Sequence, residues 1–238
     1  MDRHHSTAPP RARPSRAERK QETRDALILA ARVAFARDGY HGANLEGIAN
    51  EAGFSKGAVY SNFEGKAELF LAVMDDNLQV LRGDAWDPFA VVETTDTCKP
   101  EPGVTPDQEA AEMVRGLGLA TLEFVATAAR DETLIHSLRA RVQVLIDAYE
   151  RVAASGRTDG DPLPVEAVAQ LMAALDQGIS VLALSGVASI DGALMRAGLR
   201  RLIDPADAAT EPAPATEDVS WPLPDVQEVR RLLHDTGS

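Results

Sequence analysis

Cysteine is almost missing from this 238-residue chain, and Cys98 stands alone. No intramolecular disulfide can close and no thiol-rich metal cage can form, so a reducing cytoplasm is the fitting compartment. The N-terminus has no apolar core of a secretory signal; it is rich in proline and arginine. The longest uncharged stretch runs from Gln177 to Ile190 and contains three serines. That is short of the roughly 20 apolar residues a membrane span needs, so no membrane partner is expected. Alternating apolar and polar runs of strand length are absent, which leaves an all-α fold. Also missing are a Gly-rich phosphate loop, HExxH, GxSxG and any cluster of Cys and His. The many Asp and Glu residues read as solvated helix faces. Neither an enzyme nor a resident cofactor is expected.

Basic charge is the minority sign, 24 Lys and Arg against 37 Asp and Glu, for a net −13. The average hides a polarity. Residues 1–66 hold 11 basic and 8 acidic side chains, and the remainder holds 13 and 29. A positive head on an acidic body can meet phosphate while the body discourages non-specific adhesion.

Helical periodicity organises what is present. Residues 1–16 (MDRHHSTAPPRARPSR) read as a disordered basic arm, with Arg11, Arg13 and Arg16 within reach of a minor groove or simply solvated. Leu27, Ala30, Ala31, Ala34 and Phe35 then form one apolar stripe, with Arg24, Arg32 and Arg37 off it, until Gly39 stops the helix. Asn44 is a good N-cap for a short helix carrying Leu45, Ile48, Ala49 and Ala52. Gly53 breaks that helix and Ser55 caps a second one through about Ser61, closed by Phe63. A longer helix from about Lys66 to Leu81 aligns Ala67, Phe70, Met74, Leu78 and Leu81. Residues 83–106 read as a Pro-containing linker. Stripes on Met113, Leu117, Ala120, Phe124 and Ala128, and on Leu138, Val142, Leu145, Tyr149 and Val152, mark two long helices. Val165 to Leu182 and about 190–203 mark two more, followed by a Pro/Ala/Asp-rich loop at 204–224 and a short terminal helix on Val226, Val229 and Leu233.

Two short helices around a Gly-containing turn, packed on a longer first helix, make a helix-turn-helix. Ala49 is small at the close approach, Gly53 supplies the positive φ of the turn, and Ile48, Phe54 and Val59 can bury a shared core. The blocks LILAARVAFARDGY and NLEGIANEAGFSKGAVYSNFEGKAELF, with their spacing, resemble the TetR family of bacterial repressors from Lys20 to Met74. The resemblance implies an N-terminal three-helix DNA-binding domain (17–65) on a larger helical domain for ligand binding and dimerisation (66–203). It implies a homodimer on double-stranded operator DNA, with Ser55, Lys56, Gly57 and Ala58 at the major groove and Tyr60 and Lys66 on phosphate. Asn44 stands where many members have threonine, and it too can cap and donate to phosphate. Lys66 near a helix N-terminus opposes the helix dipole, a conflict that a phosphate would resolve.

By the same resemblance a small hydrophobic effector binds between about 66 and 186 and releases the repressor from DNA. The candidates for an apolar cavity are Phe70, Met74, Trp86, Phe89, Met113, Leu117, Phe124, His136 and Tyr149, with plain core as the alternative for each. Control by a protein partner or by expression level, with no small ligand, is the alternative function. Val165, Val168, Met172, Leu175, Ile179 and Leu182 recur at the spacing of a helix seam. With Leu194 and Ala197 of the next helix, and glycines at 186, 192 and 198, they form the expected four-helix dimer interface. Packing of the same stripe inside one subunit is the alternative.

Overall fold

The computed structural model describes residues 15–83, 86–89, 106–157, 162–187 and 192–210. Among these every regular element is helical: α1 (Arg16–Gly42), α2 (Leu45–Glu51), α3 (Lys56–Tyr60), α4 (Lys66–Asn77), α5 (Pro106–Ala128), α6 (Glu132–Gly156), α7 (Val165–Ser185), α8 (Gly192–Ile203) and α9 (Pro205–Ala208). The expected arm at 1–14 and the terminal helix at 226–233 lie outside the described residues.

Local chemistry sets the boundaries. Ser15 and Glu18 form a reciprocal capping box at the start of α1, the Ser15 hydroxyl accepting from the Glu18 N–H and the Glu18 carboxylate from the Ser15 N–H. Arg16 therefore belongs to the helix and not to the arm. Gly39 does interrupt α1, at φ 74°, but the chain resumes one more turn to Gly42 before Ala43. The expected helix to Leu81 ends instead at Asn77. A 3-10 turn at Val80–Arg82 follows, and Arg151 of α6 donates to the carbonyl of Leu81. Within the expected 204–224 loop, Asp204 caps α9 by accepting from the N–H groups of Ala206 and Asp207, with Pro205 at the first helical position.

Two hydrophobic cores follow. The first joins α1–α4 to α5 and the start of α6, so it runs across the expected boundary at residue 65. Its centre is aromatic: Phe35, Tyr40, Phe70 and Phe124 meet edge-on or tilted with ring centroids 4.8–5.2 Å apart. Helix α5 lies directly on α1. A Cβ at Gly116 would sit 2.0 Å from the Ala36 carbonyl oxygen, so only glycine permits this crossing. Arg32, expected on the polar face, is buried at 4% exposure and pairs with Asp76 of α4 at 2.5 Å. The second core is built by α6, α7 and α8 around Tyr149, Met172, Met195 and Leu199.

Candidate nucleic-acid interface

The reading unit is a small scaffold that presents a large polar edge. Helix α2 is capped by Asn44, whose Oδ1 accepts from the Gly47 N–H at 2.8 Å. Ile48 and Ala49 anchor α2 in the first core. Ala52 and Gly53 (φ 75°) turn the chain, and the Ser55 hydroxyl caps α3 by accepting from the Ala58 N–H at 3.3 Å. Among the residues of α3 only Val59 is buried, flanked by Phe54 and Phe63 against the same core. One buried valine in five residues leaves the rest of the helix outward.

Ser55, Lys56 and Gly57 are exposed, Ala58 is half-buried, and Tyr60 is 54% exposed, high for an aromatic side chain. A Cβ at Gly57 would meet only the Ser55 hydroxyl at 3.7 Å, so packing does not demand glycine there. The Lys56 ammonium lies 3.3 Å from the Glu46 carboxylate with both side chains more than half exposed. Such a surface pair contributes little and exchanges readily for a phosphate.

Lys66 has a different resolution of its dipole conflict. Its Nζ donates to the carbonyls of His41 and Ala43, each at 3.1 Å, and lies 4.9 Å from the Tyr40 ring centre. The ammonium thus satisfies carbonyls at the end of α1, the favourable pole, and pins α1 to the start of α4. An ammonium has three donors, so one remains for a further acceptor. Asn44, Ser55, Lys56, Gly57 and Tyr60 are all exposed along α2 and α3 with Ala58 half-buried, while Lys66 reaches the carbonyls at the end of α1, next to Asn44.

Contacts that tie this unit to the rest of the chain were invisible in the sequence because they span long separations. Glu123 of α5 accepts from the His41 N–H at 3.0 Å and lies against Gly39. Asp76 of α4 holds Arg32 of α1, while the adjacent Asp75 holds Arg141 of α6 at 2.5 Å. Helix α4 is therefore tied to α1 and to α6 by neighbouring carboxylates. The sequence signal was two acids side by side after the apolar run Leu69–Met74.

The expected effector residues do not line one cavity. Phe70, Leu117 and Phe124 are filled into the first core with Met74 against it. Trp86, Phe89 and Tyr149 belong to the second core. Met113 packs on Ala110 and Val114, and His136 is exposed. Two of the expected set, Trp86 and Phe89, do line a cleft of about 510 Å³, which opens between them, the end of α6, the end of α8 and α9.

The expected dimer seam is likewise divided. Val168, Met172 and Ile179 are buried within their own subunit and Leu175 packs beside them, because α6 and α8 cover that face of α7. Gly186 ends α7 at φ 71°, and Gly198 accommodates Leu175. Only Leu182 and Leu194 of the expected set are exposed. The outward face of α7 nevertheless carries an apolar stripe, Leu171 (46% exposed), Ala174, Gly178, Val181 and Leu182, flanked by the exposed Gln170 and Gln177. Helix α7 is long and apolar enough, by length and composition, to cross a membrane, yet here it packs on α6, α8 and α5, and among the described residues Leu171, Val181 and Leu182 stay exposed.

Comparison with known proteins finds a family match over the stretch that carries α2 and α3. Residues 27–73 match the family of bacterial regulatory proteins named tetR. The chain is 44% identical over 62 residues to the transcriptional activator FasR of Mycolicibacterium smegmatis, covering 25% of this chain and 28% of FasR. It is 34% identical over 80 residues to the transcriptional repressor BepR of Brucella suis, covering 30% and 38%. The chain thus matches about a third of the length of these relatives. Two solved structures share the fold: a protein of Rhodococcus sp. assigned to the TetR family (TM-score 0.51, 24% identity, 76% of this chain and 95% of that one), and the multidrug binding protein EbrR (TM-score 0.52, 21% identity, 86% and 99%).

Proposed function

We propose, from the match of residues 27–73 to the tetR family, that the chain is a cytoplasmic, homodimeric repressor of that family released from operator DNA by a small hydrophobic effector. The observation that carries this reading is the α3 edge. Ser55, Lys56, Gly57 and Tyr60 face outward from a helix held by one buried valine, in the arrangement a major groove accepts. The relatives include an activator and a repressor, and repression is our choice between them.

Dimerisation is supported by α7. Its exposed apolar stripe (Leu171, Ala174, Gly178, Val181, Leu182) is of the kind buried in an isologous interface. A dimer fixes the spacing of two α3 helices at a helical turn or a multiple of it, which lets both half-sites be read together.

Switching is supported by the clamps on α4. A ligand that shifts α6 pulls Asp75 through Arg141, and the same helix carries Asp76 and Lys66 to α1. Tenfold release of DNA needs a coupling of only about 1.4 kcal/mol. The filled core around Phe70 and Phe124 speaks for the alternative of control without a small ligand, if no other site accepts one.

The test is operator binding by fluorescence anisotropy on DNA selected from random sequence by the full chain. Saturable binding to a two-fold symmetric site, lost on Tyr60→Ala with intact circular dichroism, is the expected outcome. Selection that yields no preferred sequence would remove the regulator reading.

A further inference from the structure

The cleft at the far end of the molecule has walls of definite chemistry. Trp86 and Phe89 are half-buried aromatics on one side, and Val152, Ile203 and Ala208 form the apolar floor. Trp86 meets the buried Tyr149 edge-on, with centroids 5.1 Å apart, so its ring is held and not free to swing. The polar lining is dominated by Asp87, Asp204 and Asp207, against a single arginine, Arg200. Two of these carboxylates are fixed by backbone donors: Asp87 accepts from the Phe89 N–H at 2.8 Å, and Asp204 from the N–H groups of Ala206 and Asp207 at 3.1 and 2.9 Å.

The aromatic wall already attracts a cation. The Arg200 guanidinium lies over the Phe89 ring at 5.5 Å from its centre. Among the described lining residues an anion would meet three carboxylates for one guanidinium, within a chain of net charge −13. A cation meets the reverse, with aromatic faces and an apolar floor for its body. The volume, about 510 Å³, lies within the range of sites for drug-sized ligands.

We propose that this cleft binds an organic cation with an apolar body, of the quaternary ammonium or phosphonium type. The proposal deepens the effector reading above by giving the effector a site and a charge, and it makes Arg200 a competitor that the ligand displaces from Phe89.

The test uses a matched pair of probes, tetraphenylphosphonium and tetraphenylborate, alike in shape and opposite in charge. In full-length protein carrying Trp221→Phe, Trp86 is the single tryptophan reporter. Saturable quenching by the phosphonium, at least tenfold tighter than by the borate, is expected. Asp87→Asn with Asp207→Asn should weaken the phosphonium about fivefold or more, and Phe89→Ala should weaken it by a similar factor. Arg200→Gln carries the sign: a cation site gains affinity on losing its competitor, whereas an anion site loses it. Tighter borate than phosphonium, no saturation by millimolar phosphonium, or phosphonium binding indifferent to the Asp and Phe89 variants would each overturn the proposal. Operator binding is followed in the same samples. Phosphonium that binds with the expected variant profile yet leaves DNA bound would retain the site and refute its role as the effector site.

Discussion

The two cores differ in how completely one chain satisfies them. The core at the DNA-reading end interlocks Phe35, Tyr40, Phe70 and Phe124 and closes over buried valine, leucine and alanine from six helices. At the far end α6 and α8 hide one face of α7, while among the described residues Leu171 and Val181 on the other stay exposed. Each holds a polar pair: the Tyr149 hydroxyl bonds to the Asp176 carboxyl at the far end, and Arg32 pairs with Asp76 in the first. The difference teaches that the first core is filled by its own helices, with large apolar side chains left exposed on α7 and α8. The far end is where partners, whether a second subunit or a ligand, have surface to cover.

The largest expected effect breaks or confirms the two faces of α7. Ile179→Glu places a charge inside the subunit core and should unfold the far end, costing several kcal/mol. Leu171→Glu, on the exposed stripe, should leave circular dichroism and urea midpoint of the subunit near wild type. It should give monomers by light scattering and weaken operator binding at least tenfold. Leu171→Glu protein that remains dimeric would put the interface elsewhere.

Next in size is Gly116→Ala. The added methyl meets the Ala36 backbone, which cannot rotate away as a side chain can, so α1 and α5 must part. A loss of about 1–3 kcal/mol is expected in urea titration. Gly178→Ala meets nothing within 4 Å and should match wild type in subunit stability. Equal losses at the two glycines would contradict the contrast between a filled and an open end.

Smaller effects separate the two lysines. Lys56→Ala removes an exposed cation at the α3 edge and should alter sequence preference, with a base contact worth about 1–3 kcal/mol. Lys66→Ala removes the link to the His41 and Ala43 carbonyls and lowers thermal stability by a few degrees. It weakens all DNA sequences alike, with a salt slope about one unit shallower if its third donor reaches phosphate. Wild-type salt slope in Lys66→Ala would confine this residue to joining α1 and α4.

The smallest effect is on pH dependence. Burial raises the Asp176 pKa above its ordinary carboxylate value, so the folded state holds that proton more tightly than the unfolded chain. The stability this contributes is fully present below the ordinary Asp value and is lost as pH rises through the raised one. Subtracting the melting temperature of Asp176→Asn from that of wild type at each pH should leave a difference that falls across that window. A flat difference would remove Asp176 from the list of polar groups strained at the far end.

Helix starts were legible because they are local: Asn44 and Ser55 cap α2 and α3 where the residues three positions on can donate to them. The turn at Gly53 was legible for the same reason, since only the backbone at that residue decides it. The partner of an apolar stripe was not. Val168, Met172 and Ile179 have the spacing of a seam whether α6 or a second copy covers them, and periodicity names a face without naming what lies on it. Likewise Phe70 and Phe124 are apolar whether they fill a core or line a void, because composition does not record what has already filled the space.

By itself, then, the sequence determined the capped helices, the Gly turn and the polar edge of α3, all of which depend on residues a few positions apart. Only the tertiary structure decided that Lys66 reaches back to the end of α1, that Glu123 and the Asp75–Asp76 pair join the DNA-reading end to α5 and α6, and that the cleft opens at Trp86. Those contacts join residues 23 to 82 positions apart. No local preference encodes such a pairing, because it forms only when packing of the intervening helices brings the two ends of the loop together.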